Sequence, residues 1–249
     1  MCDRKITLVR LINVGCSFSY GNIISEYETF ADKHISPGTL VAKYMGIEEL
    51  NIASPGLSLD GVLRRLHSYK FERDDIFLIG LPPNLRLQAV RTEPRNQNKI
   101  RKKFNNPSEW RQNAFNQGPK IPEDWFITKT WDSDFEKVDL LETTAYWSFY
   151  NILLIQLTMT HKLSYHLPEN RYWLYNSVHG HMQQTTDKPE IQRLRDQINM
   201  LNYYKPDTGM HDEVLLDQKY QIARDDTHPN HIYYKRWAEE FCTWMSQSA

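Results

Sequence analysis

Apolar and polar positions alternate along the first eighty residues in blocks of regular length. Ile6 to Val14 is a largely apolar run that ends in Gly15 and a turn of small residues, the pattern of a buried strand. Pro37-Gly38 then opens a helix that carries Leu40, Val41, Tyr44 and Met45 on one face. A short strand is expected at Leu50 to Ala53, followed by the turn Ser54-Pro55-Gly56. A second helix begins near Ser58, with Leu59, Val62, Leu63 and Leu66 at helical spacing. Asp74-Asp75 leads into a strand over Ile76 to Ile79, closed by Gly80 and Pro82-Pro83. This β-α-β-α-β order predicts an α/β fold, a parallel sheet with helices on both faces. In such sheets ligands bind at the carboxyl ends of the strands. Gly15-Cys16-Ser17, Pro55-Gly56 and Gly80 to Asn84 all fall at such ends.

The pattern then breaks. Residues from Asn84 to about Asp139 are rich in Asn, Gln, Pro and basic side chains and show weak periodicity. A connection of that length predicts an insertion or lid, at about 84–139, within a single domain spanning 1–249. Downstream, the periodicity predicts a long helix over Leu140 to Lys162 and a fourth strand at Arg171 to Asn176. An amphipathic helix is expected over Lys188 to Leu201, and a last helix from about Pro229 to Met245 that buries Tyr233, Trp237, Phe241 and Trp244.

Composition changes this picture little. Hydrophobic residues make up 40% and charged residues 24% of the 249, ordinary for a globular chain. The formal charge of −1 conceals an asymmetry: Asn84 to Lys120 carries +7 and the remainder −8. A local field of that kind does not imply general nucleic-acid binding. The basic segment has two readings, a surface for an anionic polymer or glycan, or a solvated lobe paired with the acidic stretch Glu123 to Glu136. Cys2, Cys16 and Cys242 are too few and scattered for a disulfide framework. The apolar run Tyr146 to Met159 is too short to span a bilayer and is broken by Ser148, Asn151 and Gln156. With no signal-peptide pattern in Met1 to Arg10, a cytoplasmic location is expected.

Two motifs at opposite ends of the chain carry candidate chemistry. Gly15-Cys16-Ser17-Phe18-Ser19 follows the first strand, where a serine in a tight turn can present its hydroxyl at the sheet edge. Asp225-Asp226-Thr227-His228-Pro229 precedes the last helix. A nucleophilic serine needs a base, and the base needs a carboxylate to set its tautomer and stabilise its cation. Taken alone, the second motif also reads as a solvated helix start beside a surface histidine. Cys16 is the other candidate nucleophile; adjacent side chains in such a turn point different ways, and a buried small hydrophobe is the reading favoured for it. His179, His181, His211, Asp212, His228 and His231 match no zinc-ligand spacing, so no metal is expected.

Together the motifs resemble the SGNH/GDSL hydrolases. The first block of that family is Gly-Asp-Ser-x-Ser, here with Cys16 in the Asp position, and its last is Asp-x-x-His, often followed by Pro. Asn51 to Ser58 is similar to the second block, which supplies a glycine N–H to an oxyanion hole. The third, Gly-x-Asn-Asp, is degenerate: Gly80-Leu81-Pro82-Pro83-Asn84 has Pro82, which lacks an N–H, in the Asn position. The Gly-Cys-Ser first block points to a divergent branch. The resemblance implies a three-layer α/β/α, flavodoxin-like sandwich with a short parallel sheet and a large insertion after the third strand. It further implies a serine esterase that works without a cofactor through an acyl-Ser17 intermediate, with His228 as base and Asp225 orienting it. Ser17 and Gly56 would supply oxyanion N–H groups, with Asn84, or an insert residue such as Asn113, as a third donor. The implied partner is an acyl ester, including lipid and carbohydrate-linked esters. Two other functions fit the same residues: a binding protein that engages an anionic polymer or glycan through the basic insert, and an O-acyltransferase.

Overall fold

The structure, a computed structural model, describes residues 9–23, 34–72, 74–83, 86–90, 126–130, 140–164, 171–223 and 226–248. Asp225, Asn84, Asn113 and most of the basic segment lie outside these residues.

The chain enters through β1 (Arg10–Val14) and turns directly into the single-turn α1 (Ser17–Tyr20). A two-residue ribbon, β2 (Asn22–Ile23) with β3 (His34–Ile35), precedes α2 (Pro37–Met45). Ser36 caps α2 in a reciprocal capping box with Thr39, Pro37 sits in the first turn, and Gly46 ends the helix in the left-handed region at φ 68°. β4 (Glu48–Asn51) follows, then α3 (Leu59–Ser68), whose Ser58 cap accepts from the Gly61 N–H, then β5 (Asp75–Leu81). The chain leaves the sheet after Leu81 and builds the antiparallel pair β6 (Arg86–Val90) and β7 (Phe126–Thr130). After α4 (Leu140–Ser164) it returns as β8 (Tyr172–Asn176). The remainder is α5 (Pro189–Asp196), β9 (Tyr203–Gly209), α6 (Met210–Leu215), the ribbon β10 (Gln221–Ala223) and β11 (Asp226–Pro229), and α7 (His231–Ser248).

Five strands form one sheet in the order β4-β1-β5-β8-β9, and every pairing in it is parallel. In chain order this is 2-1-3-4-5, the flavodoxin-like doubly wound arrangement expected from the sequence. α2 and α7 pack together on one side, while α4 packs on α3 and α5 on the other, giving three layers. The central strands are covered on both faces, which is why Leu11, Ile12, Val14, Phe77, Leu78, Ile79 and Leu174 are all fully buried in consecutive runs. An aromatic seam fastens α7 to the sheet: Trp237 and Phe241 stack at 5.2 Å, Trp237 lies 4.7 Å from Tyr175, and Tyr204 meets both helix rings edge-on. At the opposite end of the strands Arg10 clasps buried Asp75 at 2.8 Å, tying β1 to β5.

Several boundaries differ from the sequence expectation for local reasons. The second strand lies at Glu48–Asn51 rather than Leu50 to Ala53. Its Glu49 carboxylate is accommodated by the Ser36 and Thr39 hydroxyls and the Asn13 amide, so a charged residue joins the sheet edge. The helix expected over Lys188 to Leu201 stops at Asp196, because Gln156 holds both backbone groups of Asn199 at 2.7 and 2.9 Å. That contact also explains one polar residue within the apolar run of α4. Among the described residues no helix is long and apolar enough to cross a membrane.

Candidate active site

The carboxyl ends of β1 and β5 come unusually close. Gly15 has φ 152°, and a Cβ placed on it would collide with the Ser19 side chain and lie 2.7 Å from the Gly80 carbonyl. A Cβ on Gly80 would in turn run into Ser19 and approach Ser177 and Tyr175 at 2.7 Å. Ser19 fills this junction: its hydroxyl accepts from the Tyr175 phenol at 2.8 Å and lies 3.3 Å from the Ser177 hydroxyl. The second serine of Gly-x-Ser-x-Ser is therefore a buried strut. Asn13 adds to it by donating to the Ser19 carbonyl at 2.7 Å.

With the turn held in this way, Cys16 and Ser17 diverge. Cys16 is fully buried in the core, whereas Ser17, at the first position of α1, is half-buried. Ser17 Oγ lies 2.9 Å from His228 Nε2, although the two residues are 211 positions apart. The His228 ring stacks on Phe18, with centroids 4.7 Å apart and planes inclined by 28°. Just beyond it, Asn230 caps α7 by accepting from the Tyr233 N–H and donates to the Lys219 and Gln221 carbonyls at 2.6 and 3.1 Å. Histidine position is thus set by an aromatic face and by a well-anchored helix start.

The second-block turn joins the same edge. Ser54 N–H donates to the Gly15 carbonyl at 2.9 Å, and Asn51 braces the turn by donating to the Tyr20 carbonyl and accepting from the Ala53 N–H. Gly56 stands two residues on at φ 79°, a conformation that favours glycine. The structure therefore brings Ser17 and His228 into hydrogen-bond contact and hangs the Gly56 turn from the residue two before Ser17. Asp225, Asn84 and Asn113, each expected at the site, lie outside the described residues.

At the third block the structure supplies something that spacing did not reveal. The Pro82 carbonyl accepts from His181 Nε2 at 2.9 Å, and His181 Nδ1 lies 3.2 Å from the Ser148 hydroxyl. A carbonyl can only accept, so Nε2 carries the proton and Nδ1 takes the Ser148 hydrogen. His181 is 2% exposed, and burial, the largest influence, pushes its pKa down to about 4. It is a neutral structural link between α4 and the end of β5.

The other histidines are distributed unevenly. His231 is half-buried in the first turn of α7. His179 and His211 come together with Asp212, with His179 Nδ1 2.6 Å from Asp212 Oδ1. Sequence spacing could not show this grouping, because His179 follows β8 and His211 follows β9, adjacent strands of the sheet.

No protein-family model matches the chain, and no curated protein does. Solved structures similar to it include a carbohydrate esterase whose active site is described as displaying "divergent catalytic and non-catalytic binding functions", at 12% identity and a TM-score of 0.48. That likeness covers 96% of this chain but 64% of the esterase. The lipase Lip_vut3 from a goat rumen metagenome is 12% identical, with a TM-score of 0.48 over 95% of this chain and 97% of its own. A lipase/acylhydrolase from Enterococcus faecalis is 13% identical, with a TM-score of 0.45 over 96% of each chain.

Proposed function

We propose that the protein is a serine esterase that deacylates an ester substrate through an acyl-Ser17 intermediate. The observation that carries this reading is the 2.9 Å contact between Ser17 Oγ and His228 Nε2 at the carboxyl edge of the sheet. That distance lies within the reach needed for proton transfer. As Ser17 Oγ attacks the acyl carbon, its proton passes to His228 Nε2. The same proton is then delivered to the departing alcohol, leaving the acyl group on Ser17. Water, deprotonated by His228, releases the acid and restores the serine. Asp225 is assigned the carboxylate that orients His228 and offsets its charge. The negative charge of the tetrahedral state falls to the N–H groups of Ser17 and Gly56, with the Asn84 side chain as third donor. Ser17 suits this role because the first N–H groups of a helix are not used by its own ladder. Removing one such donor typically costs about 10²–10³ in rate.

Labelling with a fluorophosphonate, together with turnover of a short-chain p-nitrophenyl ester, tests the assignment. The wild type should label and turn over, and Ser17→Ala should do neither, with a loss of at least about 10³-fold in kcat. A folded wild-type protein that neither labels nor turns over any acyl ester overturns the esterase reading. Acyl transfer would show itself as an ester product formed with an added alcohol in preference to the free acid.

A further inference from the structure

We propose that His179, His211 and Asp212 form a binding site for one divalent transition-metal ion, of the zinc type, beside the Ser17–His228 pair. One ligand atom from each of the three lies within 4.8 Å of the others. Two imidazoles and one carboxylate are a donor set suited to zinc, cobalt or nickel rather than to magnesium or calcium, which prefer oxygen alone. The two rings meet edge to face with centroids 5.1 Å apart, so their nitrogens can converge on one point without the rings stacking.

The carboxylate is held in advance. Asp212 Oδ2 accepts from the Gly209 and Gly180 N–H groups at 2.9 and 3.2 Å, which leaves Oδ1 directed at His179. These two glycines also lock the loops that bear the ligands. A Cβ on Gly180 would collide with the backbone of Asp207, and one on Gly209 with that of Val178. The segments after β8 and β9 are thus pressed together backbone to backbone, and their side chains share one place. Outer bonds of this kind orient ligands in metal sites.

His179 supplies the adjustable part. Its Nδ1 now shares a hydrogen bond of 2.6 Å with Asp212 Oδ1, whereas two ligands on a tetrahedral zinc stand about 3.3 Å apart. The His179 side chain is 58% exposed, so it can turn by the small amount that exchange of the bond for a cation requires. His211 places the site next to the candidate active centre. Its ring meets Phe18 edge-on at 6.1 Å, and Phe18 is the ring on which His228 stacks. Three protein ligands leave a fourth position for water or a substrate oxygen.

The test uses the untagged full chain, stripped with chelator and then freed of it. Zn²⁺ is titrated calorimetrically, and Co²⁺ by its visible d–d absorption. Wild type should bind one equivalent, with the intense Co²⁺ bands of four- or five-coordination. His179→Ala and His211→Ala should each weaken binding at least about tenfold, since loss of even an outer partner costs 10–100-fold. His67→Ala, on α3, should bind as wild type does. His179 is mostly exposed, so its replacement tests the site even where His211→Ala lowers stability; thermal melts of both variants establish that they are folded. Failure of wild type to bind saturably, or undiminished binding in folded His179→Ala, overturns the proposal. Ser17→Ala should retain full binding, so the outcome is separate from that of the esterase assignment.

Discussion

A buried neutral histidine makes the stability of a fold depend on pH in a direction that can be worked out in advance. His181 has its pKa pushed down to about 4 from the ordinary 6.5, chiefly by burial between α4 and the end of β5. The unfolded chain therefore binds this proton more readily than the folded one. The stability linked to His181 is complete above the unfolded value and is lost as pH falls from about 6.5 toward 4. A gap of about 2.5 units corresponds to about 3 kcal/mol in full, of which about 2 kcal/mol is lost by about pH 5. Replacing His181 by Gln keeps an amide N–H for the Pro82 carbonyl but removes the titration. The variant should be less stable at neutral pH by about 1–3 kcal/mol, because the Ser148 hydroxyl loses its acceptor and packing is disturbed. Its stability should nevertheless fall less steeply with acid. Urea unfolding followed by tryptophan fluorescence at about pH 7.5 and about pH 5 measures the difference. Wild type should lose about 2 kcal/mol more than His181→Gln between the two conditions. Parallel losses in the two proteins would refute the argument, since every other titrating group is common to both.

Two further substitutions probe the turn that presents Ser17. Cys16→Ala should leave fluorophosphonate labelling intact and cost about 1 kcal/mol, as expected for trimming a fully buried side chain; a folded variant that no longer labels would move the nucleophile to Cys16. Gly80→Ala should destabilise by about 1–3 kcal/mol, because Ser19, Ser177 and Tyr175 must all shift to admit a methyl group. In a chain of this size that is a fall of about 2–4 °C in Tm for each kcal/mol, and an unchanged melting temperature would contradict the close approach of β1 and β5.

The elements that local pattern revealed are those whose burial is uniform. β1, β5 and β8 are largely apolar, largely buried runs because helices cover both faces of the sheet, and α2 and α3 carry their caps in the residues just before them. β9 escaped detection because Lys205, Pro206, Asp207 and Gly209 read as a turn; it is an edge strand, where proline is tolerated, and its buried residues are Tyr203 and Tyr204 at its start and Gly209 at its end. α6, six residues long, is too short for a helical period to emerge.

At the site, the sequence by itself determined which residue types were available and where along the strands they stood. Ser17 stands three residues after the end of β1, and His228 lies three residues before α7, positions set by local turn and helix-start signals. Only the tertiary structure decided which side chains meet. It buries Cys16 and turns Ser17 toward His228, it sends His181 inward to Pro82, and it gathers His179, His211 and Asp212. The physical reason is that such meetings depend on strand order. β1 lies beside β5, and β8 beside β9, through crossovers many residues long, so groups at their carboxyl ends become neighbours at separations that no local period encodes.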